Sequence, residues 1–327
     1  MNEVQCGFSI ITPVYNREDC ISRCIESVAA QDYPLIEHWI VDDGSTDRTS
    51  DIIEEKARKY PHIRYHRFEE NKGVNAARNY AIRESRNKFI SFLDSDDIFL
   101  PNALTQIEAH ITQNYPTYQH FLFVQDDRVA YLQSLSLLNK KKIVELSFYD
   151  FLQGKISGDF LHVIGNDLLC KYPFNESLRI YEGITFLQIM REERQLLFIN
   201  ETHVQRDRDR EDSVTEEYSL INKDAIYKRC IADRLKIEMF CSDYISLEGG
   251  HVLLKKHLHQ ASLLALALEQ YQDVDNYMRI ASLYNIHFPF FVFILRKLHL
   301  GKLIRACVLT RARMKFFLRH SKKFKLR

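Results

Sequence analysis

Apolar residues in the first hundred positions gather into short runs, Phe8 to Thr12, His38 to Val41, Ile63 to His66 and Phe89 to Leu93. Stretches with helical spacing separate them, and strands alternating with helices are the rhythm of parallel βαβ units. Between the first two runs Ile21, Cys24, Ile25 and Val28 recur at i, i+3, i+4 and i+7, which is one face of a helix. Ser45, Thr46 and Asp47 are N-cap candidates for a second helix through Ile52 and Ile53. A further helix is expected from Pro101, because proline in a first turn gives up no hydrogen bond. The pattern predicts a doubly wound α/β sheet.

Beyond about Arg206 the strand-like alternation fades, and Leu253, Leu254, Leu258, Leu264, Ala265 and Leu268 mark amphipathic helical spacing. A boundary near Ser213 to Glu217 therefore divides the chain into an α/β region over residues 1–215 and a mostly helical region over 216–327. The mixed-charge run from Arg206 to Asp212 reads as a solvated loop between them.

A hydrophobic share of 46% against 27% charged residues fits a folded chain and argues against intrinsic disorder. The net charge of +1 hides an asymmetry: from His287 to Arg327 there are twelve Lys or Arg and no Asp or Glu. Apolar residues from Phe290 to Leu295 open this segment, and cations follow at Arg296, Lys297, Arg311, Arg313, Lys315, Arg319 and Lys322. A cationic amphipathic helix of this kind suits peripheral contact with an anionic membrane, with a merely solvated helix as the plainer alternative. Stacking motifs and recognised folds for nucleic acid are absent, so no nucleic-acid partner is expected. The seven cysteines carry no C-x-x-C pair, which suggests free thiols in a reducing compartment. No signal peptide is read at Met1, and the longest apolar run, Phe288 to Leu295, is too short to span a bilayer. The expectation is a cytoplasmic protein, peripheral at the inner face of the plasma membrane.

Open parallel sheets bind ligands outside the carboxyl ends of their strands, and polar clusters fall where each strand should end. After the first run, Pro13 stiffens a turn and Tyr15 offers a ring face for a base, unless it is an ordinary packed tyrosine. After the second, Asp42 and Asp43 present carboxylates that accept hydrogen bonds from a uracil imino group or a ribose hydroxyl, although capping by Asp43 or Ser45 would explain the same letters. Lys72 and Gly73 open a helix whose first amides, with Arg78 nearby, favour a diphosphate. Neither G-x-G-x-x-G nor G-x-x-x-x-G-K-[ST] is present. In Phe92-Leu93-Asp94-Ser95-Asp96-Asp97 an apolar strand runs into three carboxylates, which repel one another unless a cation joins them. Hard oxygen ligands select Mg²⁺ or Mn²⁺, and Asp94, Asp96 and Asp97 are the candidate ligands.

Taken in order, S-I-I-T-P-V-Y-N, V-D-D-G-S-T-D, N-K-G-V-N-A-A-R-N and F-L-D-S-D-D resemble the family 2 inverting glycosyltransferases of GT-A fold over about residues 7–215. The resemblance implies a Rossmann-like, doubly wound mixed sheet followed by a mostly helical C-terminal region. It implies that Tyr15 and Asp43 hold the base, that Arg78 lies near the diphosphate, and that Asp94 and Asp96 are the metal-binding D-x-D with Ser95 beside them. Lys171 to Leu178 is similar to the family's F-D-E-x-L stretch, after which a Glu-Asp pair normally supplies the base. Here Gly183 follows Glu182, so Glu182 becomes the first candidate for catalytic base, with Asp159 and Asp127 in reserve. Where the family carries a histidine before S-x-S or S-x-T, this chain has Arg210 before Ser213-Val214-Thr215, suited to a diphosphate rather than a metal. The expected activity is metal-dependent transfer from a nucleoside-diphosphate sugar, UDP-linked in the first instance, to a glycan or lipid-linked acceptor in bacterial surface polysaccharide synthesis. The competing expectation is a catalytically degenerate chain that binds sugar nucleotide or serves as a scaffold.

Overall fold

Strand β1 (Phe8–Val14) is buried at every position, which explains why its sequence reads as a continuous apolar run rather than an alternation. In the computed structural model, which describes residues 6–125, 142–156, 158–179, 181–207 and 223–311, this strand lies inside a mixed sheet of eight strands. It pairs in parallel with β2 (Ile36–Asp42) on one side and β4 (Phe89–Phe92) on the other, and β2 pairs in parallel with β3 (Ile63–Arg67). The other half is antiparallel at most of its pairings. There β8 (Leu161–Gly165) runs against both β4 and β6 (His120–Val124), and β9 (Gln195–Thr202) runs with β6 but against β7 (Ile143–Ser147). The order is β3-β2-β1-β4-β8-β6-β9-β7.

Successive residues of a strand face opposite sides, and the two cores follow that rule. Phe8 and Ile10 pack with α1 (Ile21–Ala29) and α4 (Ala103–Asn114), while Ile11 packs with α3 (Val74–Glu84) and α6 (Asn166–Lys171). Ile21, Cys24, Ile25 and Val28 are the buried face of α1, as their spacing predicts.

Two sequence expectations need correction. Pro13 does not lie in a turn; it stands within β1, opposite Val41. The β1–β4 ladder stops at the Ile11–Phe92 pair, and Pro13 faces the same side as Ile11, so its missing N–H costs no ladder bond. The helix expected from Pro101 starts at Ala103, because Asn102 adopts a left-handed φ of 62° that cannot continue a right-handed helix. For α2 (Thr49–Lys59), the Asp47 carboxylate accepts the Thr49 N–H at 3.0 Å, so the acid of the Ser-Thr-Asp trio closes that end.

A small antiparallel pair, β5 (Ile98–Phe99) with β10 (Val204–Gln205), brings the residues after the acidic turn against the segment around His203 to Asp207. The chain divides into two compact units, Met1–Asp209 and Arg210–Arg327. In the second, α8 (Lys223–Ile245) packs along α9 (Gly250–Ala267), which also contacts α10 (Tyr271–Leu283) and α11 (Phe290–Lys297). Leu254, Leu258, Ala261 and Ala265 of α9 are fully buried, as are Ile226 and Phe240 of α8 and Val274 of α10. Among the described residues no helix is long and apolar enough to cross a membrane.

Candidate active site

Tyr15, Asp42, Asp43 and Asp94 to Asp97 lie at the carboxyl ends of β1, β2 and β4, and Lys72, Gly73 and Arg78 at the start of α3. Tyr15, one residue beyond β1, is 38% exposed. Its neighbour Asn16 donates its N–H to Ser45 Oγ at 2.9 Å and accepts the Thr46 N–H at 2.8 Å, which ties the β1 and β2 ends together. Asp42 is fully buried: Oδ1 takes the Ser45 N–H at 2.8 Å and Oδ2 the Tyr65 hydroxyl at 3.3 Å. Its side chain therefore shapes the loop.

Asp43 reaches across to the start of α3, where Oδ1 accepts the Lys72 N–H at 2.6 Å and Oδ2 the Gly73 N–H at 2.9 Å. Burial raises its pKa, opposed by those two amides and by the charge of Arg179. The same contacts mean that the Lys72 and Gly73 amides, expected to serve a diphosphate, are donated to the protein's own carboxylate. Lys72 lays its ammonium 4.8 Å from the Phe68 ring centre. The two loops approach so closely that a Cβ on Gly44 would meet the Glu70 carbonyl carbon at 2.9 Å, and Gly44 (φ 77°) and Gly73 (φ 94°) both adopt backbone that disfavours side chains.

Arg78, one turn into α3, is the centre of the site. Nη1 donates to Glu182 Oε1 at 2.6 Å and Nη2 to Asp94 Oδ1 at 3.3 Å, joining acids 104 and 16 residues away in sequence. The guanidinium carbon lies 5.7 Å from the Phe92 ring and 5.8 Å from the Phe174 ring, so apolar walls strengthen both ion pairs. Burial works to lower the Arg78 pKa, but Glu182 and Asp94 outweigh it and the net shift is upward. Asp94 keeps 47% of its side chain exposed and Glu182 22%, against 12% for Arg78. The cation is enclosed, and both acids remain within reach of solvent.

The other two acids of the turn behave differently. Asp97 is 4% exposed, accepts the Asp207 N–H at 3.3 Å and lies 3.7 Å from Arg206 Nε. Burial, then the charges of Asp94 and Asp96, push its carboxyl up to about 8. It thus faces the β10 end, which does not suit the metal-ligand role expected from the sequence. Arg206 also donates to Gln125 Oε1 at 2.7 Å and to Asp159 Oδ2 at 3.3 Å, so the structure holds Asp159 beside Arg206. Asp96 is half-buried, and its carbonyl oxygen accepts from Arg23 at 3.2 Å. Ser95 is 7% exposed. Asp127 and Arg210 lie outside the described residues. Among the described residues no three or more His, Cys, Asp or Glu side chains converge as a metal-binding group.

Several contributors were not legible. Asn79 exchanges hydrogen bonds with the Phe174 backbone, donating to its carbonyl at 2.8 Å and accepting its N–H at 2.9 Å, while Asn75 donates to the carbonyls of Asn175 and Leu178. These amides pin the irregular 174–178 stretch to α3, which sets where Glu182 begins α7 (Gly183–Glu193). Arg179, next to that pin, is half-buried and its Nε has no hydrogen-bond partner. His162 stacks on Phe186 at 3.9 Å and shares a 2.9 Å hydrogen bond with buried His120; burial first, and Arg78 second, lower its pKa to about 3. At Gly183 an added Cβ would meet nothing within 4 Å. The position is empty by residue choice rather than by crowding.

The glycosyl transferase family 2 model matches residues 9–165, which span β1 through β8. Among curated proteins, the chain is 27% identical over 186 residues to the GalNAc(5)-diNAcBac-PP-undecaprenol beta-1,3-glucosyltransferase of Campylobacter jejuni, covering 56% of this chain and 60% of that one. It is 45% identical over 91 residues to the putative teichuronic acid biosynthesis glycosyltransferase TuaG of Bacillus subtilis, covering 27% and 35%. The chain spans less than two thirds of the length of these relatives. Staphylococcus aureus TarS 1–349, solved with UDP, aligns over 85% of this chain and 91% of that one with a TM-score of 0.55 and 19% identity. The mannosyltransferase PcManGT of Pyrobaculum calidifontis, solved with GDP-Man and Mn²⁺, aligns over 95% and 87% with a TM-score of 0.53 and 17% identity. Likenesses at that identity speak for the fold alone, here GT-A-like; the family model and the curated relatives support a glycosyl transferase family 2 domain over residues 9–165.

Proposed function

We propose that the protein transfers a sugar from a nucleoside diphosphate, most simply a UDP-sugar, to a hydroxyl of a glycan or lipid-linked acceptor, with inversion at the anomeric carbon. The observation that carries this reading is the Asp94–Arg78–Glu182 bridge, which holds a donor-side acid and a candidate base on one enclosed guanidinium. In the reaction the acceptor oxygen bonds to the anomeric carbon as the bond from that carbon to the diphosphate oxygen breaks. The electron pair leaves on the diphosphate, and the acceptor proton passes to the Glu182 carboxylate, on the face opposite the leaving group. Tyr15 lies beside the base, and Asp43 fixes the loop that receives the nucleoside. Arg78 and Arg179 are the cations available to the diphosphate.

Asp94 and Asp96 offer the hard oxygens that Mn²⁺ or Mg²⁺ prefers, and both are accessible, whereas Asp97 is turned inward. A cation there would take its remaining oxygens from the donor diphosphate and offset the charge that develops on it. The C. jejuni relative is named for a polyprenyl-diphosphate-linked acceptor, TarS is also solved with UDP-GlcNAc, and PcManGT with Mn²⁺. These names support a lipid-linked acceptor, a uridine donor and a divalent ion, and the TuaG name a place in bacterial surface polysaccharide assembly. The test is to incubate purified protein with Mn²⁺ and a panel of UDP- and GDP-sugars and measure nucleoside diphosphate release, with and without polyprenyl-diphosphate acceptors. Metal-dependent release supports the reading. Gly183, with open space where the family places its base, favours a second one: a chain that binds sugar nucleotide without turnover, which would show donor binding by calorimetry and no release in that assay.

A further inference from the structure

Helix α11 is built inside out. Projected at 100° per residue, Phe290, Phe291, Phe293, Ile294, Lys297 and Leu298 form one continuous arc, and all six are exposed. Phe290 is 72% exposed, Phe291 50% and Leu298 60%, values ordinary for lysine rather than for phenylalanine. The opposite side carries Val292, which is fully buried, and Arg296, whose Nε and Nη2 donate to Asp275 Oδ1 and Oδ2 at 2.7 and 2.6 Å. Those two anchors fix the rotation of the helix, so the apolar arc cannot roll inward without breaking a bidentate ion pair. Phe290 and Phe293 stack with centroids 6.2 Å apart, which gives the outward face a flat aromatic surface. Helical residues 301–311 add exposed Leu303 and Lys302.

Charge identifies what this face fits. Exposed Lys297 lies on the arc itself, and no Asp or Glu occurs anywhere from His287 to the last residue. An apolar surface whose own segment carries cations and no acid complements an apolar phase beneath an anionic layer, which is a bilayer rich in acidic lipid. We infer that α11 is a monotopic membrane-docking helix, inserting Phe290, Phe291, Phe293 and Ile294 among acyl chains while Lys297 and Lys302 contact acidic headgroups. This inference does not depend on the transfer reaction, and the two can fail separately.

The test is flotation of the full-length protein with vesicles of phosphatidylglycerol and phosphatidylethanolamine in equal parts, and with phosphatidylcholine vesicles. Wild type is expected to float with the first at least about tenfold more strongly than with the second. The F290S/F291S/F293S variant is expected to lose about tenfold or more in partition while keeping the wild-type urea unfolding midpoint, since all three side chains are already in water. The K297E/K302E variant is expected to lose the preference for acidic lipid. Partition of the triple serine variant equal to wild type would overturn the inference. So would failure of wild type to float, or sedimentation showing a wild-type dimer that the serine variant dissociates, which would make the face a contact between copies.

Discussion

Arg78 and Arg206 both approach the acidic turn after β4, one from α3 and the other from the end of β10, and each joins acids from distant parts of the chain. Arg78 is itself enclosed and holds Asp94 and Glu182, which stay accessible; Arg206 holds Asp97, which is nearly sealed, and only its third partner, Asp159, is mostly exposed. One residue type thus does two jobs within a single turn. On the Arg78 side an enclosed cation holds two acids that stay open to solvent. On the Arg206 side a cation lies against an acid that burial pushes toward its protonated form, and that contact helps to fix the shape of the turn.

The largest effect should separate the acids of the turn. Asp96→Ala is expected to lower metal-dependent nucleoside diphosphate release by about a thousandfold, and Asp97→Asn by less than about tenfold. Equal losses would erase the distinction drawn between the two sides. Next, Glu182→Gln should reduce kcat by about a hundredfold or more while donor affinity from calorimetry stays within about threefold, with Asp159→Asn changing kcat by less than about fivefold. A deeper loss for Asp159→Asn would move the base to the Arg206 side.

Acid titration reaches both sides through buried imidazoles. Burial holds His162 down to about 3 beside Arg78, and His203 down to about 4 beside the β10 end. A histidine lowered this way takes its proton in the unfolded chain first, so its contribution to stability is complete above about pH 6.5 and is lost as the pH falls toward the folded-state value. Urea unfolding at pH 5 should show a loss of about 2 kcal/mol per such histidine relative to pH 7.5, shallower by that amount in His162→Phe. Arg206→Met should cost about 1–2 kcal/mol in the same assay and leave donor binding within about fivefold, because it uncovers one buried acid without touching the Arg78 bridge. The smallest effect is expected at Gly183. Introducing Asp at this open helix start should raise stability by about 0.5 kcal/mol through the helix dipole, and a gain in transfer well beyond about tenfold would take the base role from Glu182.

The half of the sheet formed by β1 to β4 was legible because its strands are short, apolar and separated by helices with plain periodicity. The antiparallel half was not: β7 leaves Ile143 43% exposed, and β8 and β9 take their neighbours from distant parts of the chain. In the site, the strand-end acids could be found from their spacing alone. Which acid faces outward could not, since Asp97 is turned in by the pairing of residues 98 and 99 with 205 and 204. Arg78 could be named from its motif, but its bridge spans sequence distances that periodicity does not encode. Asn75 and Asn79 read as motif letters, and only their bonds to residues 174–178 reveal what they do.

That asparagine clasp has a consequence for how the molecule could diversify. An irregular stretch stapled at three backbone sites to a helix moves with that helix, so the spacing between Arg78 and Glu182 is insulated from length changes elsewhere in the chain. Insertions on the far rim of the sheet would leave the Arg78–Glu182 pairing undisturbed.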